Sequence, residues 1–298
     1  MPFREAFDCL WCGKPWATRA ESDLEGWAQL CPDCAGRAGD NEFLRFRLRR
    51  AFEERSDAAA SGTPSAPVEP AAAEPTVDDL VAYYEARAPE YDDWYLRRGR
   101  YSHGPVHDAA WNAELDTAGR WLDALPIRGE IVELAAGTGW WSPLLAGKGA
   151  LSLYDGAEAP LERARERLVA HGLRAHLHVR DAWAPPDRRV DTLFTGFWLS
   201  HVPRERLDEF LRLARSWLHP GGTLAFIDSL PDPQSGATDH PRATDDASVR
   251  RLADGREFRI VKIFYTPDEL TDALRAAGFA SSEVTTTGRF FVLGRGSA

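Results

Sequence analysis

The sequence predicts an α/β protein, a doubly wound and mainly parallel sheet occupying the C-terminal part of the chain behind a small N-terminal domain. Three observations predict it. From residue 77 onward, short apolar runs alternate with amphipathic helical stretches, the pattern of a parallel sheet covered on both faces. All four cysteines fall within the first 34 residues of 298, which marks a small module of its own. Between the two regions, residues 56–76 are Ala, Pro, Ser and Glu with almost no large apolar side chain. Such a segment buries too little to offset the entropy of ordering and reads as a flexible linker.

The N-terminal domain, residues 1–55, opens with Cys9-Leu-Trp-Cys12-Gly13 and Cys31-Pro-Asp-Cys34. Two CxxC pairs separated by 18 residues suit two knuckles closing one tetrahedral zinc site. Gly13 permits the turn that aims backbone N–H groups at the thiolates. Four sulfur ligands, Cys9, Cys12, Cys31 and Cys34, leave no open position, so the Zn2+ is expected to be structural. Residues 41–55 then read as a helix with Phe43, Leu44, Leu48 and Phe52 near one stripe and Arg45, Arg47, Arg49 and Arg50 on the basic side.

The second domain is expected over residues 77–298. Helices are expected at 77–87 and 108–125, followed by a strand at 130–134 and a helix from Trp140. A strand at 151–154, a helix at 158–171 and strands at 175–179 and 190–195 come next. Then come a helix at 204–218, a break at Pro220-Gly221-Gly222 and a strand at 223–227. A further apolar run at 260–264, a helix at 268–277 and a closing β-turn-β through Gly288 suggest one antiparallel strand inserted at the end. The 231–258 connection is long enough to predict a lid or binding loop that shapes an acceptor pocket with Trp198.

Charge and composition narrow the function classes. Lys and Arg total 36 against 46 Asp and Glu, a net charge of −10. A global positive field for nucleic acid is therefore absent, and RNA contact is expected only if the basic side of the 41–55 helix makes it. No stretch approaches the ~20 apolar residues of a membrane span, and the first residues carry no apolar leader, so a cytoplasmic protein is expected.

The most informative segment is Ile131-Val-Glu133-Leu-Ala135-Ala-Gly137-Thr-Gly139. An apolar strand that runs into a glycine turn lets the backbone approach a ligand at the strand's C-terminal end. Asp155 ends the next strand, where a carboxylate can accept hydrogen bonds from both hydroxyls of a ribose. Asp181 ends the third, followed by Ala182 and Trp183. The fourth runs through Phe197-Trp198-Leu-Ser-His201-Val-Pro203.

These motifs together resemble those of class I S-adenosylmethionine-dependent methyltransferases of the small-molecule type, with Ala135 in place of the first glycine of the family's motif. The resemblance covers residues 77–294 and implies a seven-stranded sheet with S-adenosylmethionine bound at the strand ends. It implies that Glu133, Ala135, Gly137, Gly139, Asp155, Asp181, Ala182, Trp183 and Phe197 surround the cofactor, with Asp155 on the ribose and Asp181 on the adenine amino group. Tyr91, in an aromatic segment similar to the family's N-terminal lid, is expected to touch the methionine end. His201 is the expected general base or substrate-orienting group, and His103 the second candidate. Arg250, Arg251 and Lys262 are candidates to anchor an acidic substrate. The expected activity is methyl transfer to an O or N atom of a small-molecule acceptor in specialised metabolism. An RNA or protein methyltransferase targeted by the zinc ribbon, and a non-catalytic cofactor-binding regulatory protein, are the competing readings; the oligomeric state is not fixed by sequence.

Overall fold

The computed structural model describes residues 6–9, 13–18, 29–37, 76–240 and 247–298. The chain divides into two compact units, residues 1–72 and 73–298. Cys12, the expected helix at 41–55 and all but Thr76 of the expected linker lie outside the described residues. Within the first unit, strands β1 (Ala6–Asp8) and β2 (Pro15–Ala17) pair antiparallel with Phe7 opposite Trp16, and a short helix α1 spans Pro32–Arg37.

The second unit begins with helix α2 (Val77–Arg87), whose first turn is closed by a reciprocal cap. The Thr76 side chain accepts from the Asp79 N–H at 3.2 Å, and the Asp79 carboxylate accepts from the Thr76 N–H at 2.9 Å. Pro89 removes a helical donor, so the chain passes through a 3-10 turn at Ala88–Glu90 before helix α3 (Tyr91–Tyr95). Arg87 and Tyr91 thereby stand on either side of one bend. Helix α4 (Pro105–Ala124) follows, started by proline in its first turn.

Seven strands then build the sheet: β3 (Glu130–Leu134), β4 (Ala150–Asp155), β5 (His176–Val179), β6 (Val190–Gly196), β7 (Leu218–Ser229), β10 (Ser281–Thr286) and β11 (Phe291–Ser297). Their spatial order is β10-β11-β7-β6-β3-β4-β5. Strand β11 runs antiparallel to both neighbours, and the pairs β3–β4, β3–β6, β4–β5 and β6–β7 are parallel. This is the seven-stranded, mainly parallel sheet expected from the sequence. The intervening helices are α5 (Ser142–Ala146), α6 (Glu158–Ala170), α7 (Leu207–Ser216) and α8 (Pro267–Ala276).

Alternation along the strands assigns each side chain a face. Ile131, Leu151, Leu153 and Phe194 pack with Trp111, Leu115 and Leu122 of α4 and Leu161 and Leu168 of α6. Val132, Leu134, Tyr154 and Leu193 pack on the other face with Phe210 and Leu211 of α7 and Leu270 and Leu274 of α8. Helices cover both faces, so the central strands β3, β4 and β6 are mostly apolar on both sides.

Two expectations change. The apolar run at 260–264 is not a sheet strand: β9 (Glu257–Val261) pairs antiparallel with β8 (Ala247–Arg251) in a separate hairpin. Apolar runs of that length do not reveal their pairing partner. Pro220-Gly221-Gly222 lies inside β7 rather than before it; the register jumps from Val190 opposite Leu218 to Thr192 opposite Thr223, so the extra residues form a bulge. Among the described residues no helix is long and apolar enough to cross a membrane.

Candidate functional site

The C-terminal ends of β3, β4, β5 and β6 converge on a cleft, the place where ligands bind in open parallel sheets. It is lined by Leu80, Tyr84 and Tyr91 from the lid segment, and by Ala135, Gly137, Asp155, Asp181, Ala182, Phe197, Trp198 and His201 from the sheet side. Eight residues expected from the sequence are thus brought together: Tyr91, Ala135, Gly137, Asp155, Asp181, Ala182, Phe197 and His201.

The loop after β3 has the backbone of a close-approach turn. Ala135, Gly137 and Gly139 all have positive φ, 51°, 54° and 68°. Ala135 occupies this region at a cost that glycine would avoid. A Cβ on Gly137 would sit 2.9 Å from the Tyr91 hydroxyl, and one on Gly139 would sit 2.7 Å from Ala164 Cβ. The first glycine therefore lets the lid close onto the loop, and the second lets α6 pack beneath it. Asp92 hydrogen-bonds the Thr138 hydroxyl at 2.6 Å and pairs with Arg167, which ties α3 to the same loop.

Asp155 accepts from the N–H of Gly137 at 2.8 Å and from that of Ala157 at 2.9 Å. Burial nevertheless pushes its carboxyl up to about 6. Each oxygen retains a second lone pair for a sugar hydroxyl. Asp181 caps its own turn through the Trp183 N–H at 2.9 Å and still faces the cleft. A positive-φ cradle that a Cβ would fill and two carboxylates on successive strand ends fit the nucleoside that the sequence motifs imply.

Glu133 is placed elsewhere. It shares the parity of Ile131, so it points to the α5 side, 1% exposed, and its carboxyl accepts the Ser142 hydroxyl at 2.6 Å. Burial pushes it up to about 8. Gly139 lies under the loop, and Trp183 packs between the Arg206 guanidinium, 3.8 Å from its ring centre, and Phe210. None of these three lines the cleft.

Beside the cleft lies a second cavity of about 800 Å³, walled by the lid segment, residues 229–240 and the β8–β9 hairpin. Tyr84, Tyr91, Phe197 and His201 line both spaces. His201 is buried, and its Nδ1 lies 2.6 Å from the Val261 carbonyl. A carbonyl only accepts, so Nδ1 carries the proton and Nε2 accepts the Tyr84 hydroxyl at 2.7 Å. Burial, with Lys262 nearby, holds His201 well below the usual imidazole range. His103 lines only the large cavity, and its Nε2 lies 3.0 Å from the Gly236 carbonyl.

The cavity also holds residues to which the sequence assigned no role. Arg87 is 9% exposed, and its guanidinium faces the rings of Tyr91 at 4.6 Å, Tyr83 at 5.6 Å, and Tyr84 and Tyr101 at 5.9 Å. Arg97 donates to the carbonyls of Gln234 and Ser235 at 2.8 and 3.1 Å and so fixes one wall. Its only available sequence signal was an arginine amid aromatics, which solvated surface helices share. In the first unit, the sulfur atoms of Cys9, Cys31 and Cys34 lie within 4.8 Å of one another and are buried. The Cys31 N–H points at Cys9 Sγ, 3.4 Å away, and Gly13, φ 67°, closes a turn through its N–H to the Cys9 carbonyl at 2.8 Å.

Residues 131–222 match a family model described as a methyltransferase domain. Among solved structures, a DhpI–SAH complex is 34% identical, over 74% of this chain and 95% of that one, with a TM-score of 0.57. A DhpI–SAM–HEP complex is also 34% identical, over 74% and 96%, with a TM-score of 0.58. The CcbJ methyltransferase from Streptomyces caelestis shares the fold at 21% identity, over 72% and 98%, with a TM-score of 0.51. No curated protein sequence matches the chain significantly.

Proposed function

From the fact that the chain belongs to the class I S-adenosylmethionine-dependent methyltransferases, we propose that it methylates an O or N atom of a small-molecule acceptor in specialised metabolism. The observation that carries this reading is the shared wall: Tyr84, Tyr91, Phe197 and His201 line both the cofactor cleft and the cavity of about 800 Å³. That volume falls within the ~300–1,000 Å³ typical of small-molecule sites. The similar DhpI complex that holds HEP beside SAM supports the same direction.

The cofactor supplies an electrophilic methyl group on a sulfonium. In this reading Asp155 holds the ribose hydroxyls, Asp181 and the Ala182 backbone hold the adenine, and Tyr91 covers the methionine end against the Gly137 turn. The transfer is an in-line displacement, so alignment and exclusion of water are the chain's main contributions. The lid aromatics exclude water. His201 acts as an orienting group: its protonated Nδ1 is anchored on Val261, and Nε2 fixes the Tyr84 hydroxyl at the junction of the two spaces. His103 belongs to the acceptor side.

We propose in addition that Cys9, Cys12, Cys31 and Cys34 hold a structural zinc ion that orders residues 1–55, ahead of a 56–76 linker and a catalytic domain at 77–298. The clustered sulfurs of three of them support it, and an all-thiolate set suits zinc without an open catalytic position. One zinc per chain by elemental analysis, lost in Cys31→Ser, is the expected result.

The methyltransferase reading is tested by titrating the purified protein with S-adenosylmethionine and S-adenosylhomocysteine, and by measuring S-adenosylhomocysteine release with a metabolite extract. Binding of both, with acceptor-dependent release, is expected. Absence of binding by either removes the proposal.

A further inference from the structure

Three cations line the acceptor cavity in a chain whose net charge is −10. Arg87 is 9% exposed, its Nε is buried without a hydrogen-bond partner, and among the described residues no carboxylate pairs with its guanidinium. Among the described residues Arg250 reaches the His240 ring, Nη1 to Nδ1 at 3.0 Å. Lys262 donates to the Ser200 hydroxyl at 2.7 Å and makes a long ion pair with Asp228 at 3.9 Å. Asp232, which also lines the cavity, is held by Arg289 at 2.6 Å. The Tyr101 hydroxyl is buried in the same wall with no partner among the described residues.

A buried guanidinium without a counter-ion costs several kcal/mol unless something neutralises it. Buried polar atoms left unpaired call for the same explanation. Here the groups come from separate elements, α2, the segment before α4, β8 and the residue after β9, and they face one space. They lie one tyrosine away from the cofactor cleft, since Tyr84 lines both.

We propose that Arg87, Arg250 and Lys262 form an oxyanion subsite, and that the acceptor is a small molecule whose reacting oxygen belongs to an acidic group: a phosphonate, a phosphate ester or a carboxylate. This rests on the methyltransferase reading above and narrows it. Arg87 and Arg250 supply forked donors, Lys262 a point charge, and the Tyr101 hydroxyl a further donor.

Such an acceptor also simplifies the reaction. A lone pair on the acid oxygen forms the new O–C bond as the S–CH3 bond breaks, and its electron pair stays on sulfur. The products are a methyl ester and S-adenosylhomocysteine. The attacking oxygen is already ionised at neutral pH, so no proton is transferred and no general base is needed. That agrees with His201, both of whose ring nitrogens are already engaged.

The experiment uses the full chain saturated with S-adenosylhomocysteine and titrates orthophosphate, phenylphosphonate, phenyl phosphate, benzoate and phenol, followed by calorimetry. At least one acid is expected to bind at least tenfold more tightly than phenol. Arg87→Met and Arg250→Met are each expected to weaken that acid tenfold or more, with S-adenosylhomocysteine affinity within twofold of wild type. Arg87→Lys, which keeps the charge, should recover part of the loss. With S-adenosylmethionine, the methyl ester of the bound acid should appear by mass spectrometry. A preference for phosphonate or phosphate over benzoate assigns a tetrahedral acid, and the reverse assigns a carboxylate. If no acid outcompetes phenol, or if both Met variants bind acids like wild type, the subsite is wrong. Failure of the wild type to bind S-adenosylhomocysteine would instead overturn the methyltransferase reading.

Discussion

Arg87→Met should make the ligand-free protein more stable, although it removes a buried side chain with four aromatic neighbours. Arg87 gives up hydration without gaining a carboxylate among the described residues; an effective desolvation cost of about 4 kcal/mol is reasonable for a buried ion. Of the four rings, only Tyr91 is close, at 4.6 Å, and the other three lie at 5.6–5.9 Å. Together they return roughly 2 kcal/mol. Methionine keeps much of the apolar stem contact and carries no charge. The balance is a gain of about 2 kcal/mol, or ~4–8 °C for a unit of this size. The assay is thermal unfolding by circular dichroism in a zwitterionic buffer, because phosphate would itself stabilise the wild type through the proposed subsite. Adding phosphate should then raise the wild-type midpoint and leave the variant's unchanged. A variant that melts below wild type in anion-free buffer would falsify the account of Arg87 as an uncompensated cation held for a ligand.

Three further outcomes are expected. Burial pushes Glu133 up to about 8, so the folded protein keeps a proton that the unfolded chain releases near its ordinary value; this stability is full in acid and is lost as pH rises through about 8. Glu133→Gln should therefore gain relative to wild type between about pH 5 and pH 8 in urea titrations, and a pH-independent difference would refute the placement. Lys262 is lowered to about 8 by burial, with Arg250 and Arg87 adding to the effect and Asp228 opposing it, while the Ser200 and Ser229 hydroxyls and neutral His201 complete its surroundings. Affinity for an acid should fall as pH rises through about 8, and Lys262→Met should flatten that fall; calorimetry across pH decides it. Tyr84→Phe leaves the buried His201 Nε2 without a donor, which costs about 1–3 kcal/mol; kcat should drop more than S-adenosylhomocysteine affinity changes, and equal losses in both would contradict Tyr84's place at the junction.

How far the sequence reached depends on what kind of constraint each residue obeys. Residues tied to strand ends were legible: the Gly137 turn, Asp155 and Asp181 occupy positions that the alternation of strand and helix fixes, and the cleft contains them. Glu133 was legible as an acid at a strand end, but not its direction, which depends on the parity it shares with Ile131 and on Ser142 lying across from it. Trp183 carried a plausible stacking role, yet Arg206 and Phe210, brought in by α7, hold it away from the cleft. The β8–β9 hairpin was hidden because a five-residue apolar run does not state its partner. Arg87 was hidden for a different reason: sequence shows a charge on a helix, and only the packing of four tyrosines around it shows that water is excluded.

The acceptor side therefore differs in kind from the cofactor side. The proposed nucleoside contacts come from consecutive strand ends of one sheet, where spacing along the chain maps onto spacing in the cleft. The proposed acceptor contacts come from α2, the 94–103 segment, the 229–240 loop and the β8–β9 hairpin, which are distant in sequence and meet only through packing. Arg97 shows how they are joined: buried against Trp111 at 4.2 Å, it grips the Gln234 and Ser235 carbonyls and sets where that loop stands relative to the lid. The lid in turn places Tyr91 on the glycine turn and Arg87 in the acceptor cavity from opposite sides of the Pro89 bend. Tyr91 and Arg87 flank the same bend, so the contact with the Gly137 turn and the cationic wall of the large cavity share one support.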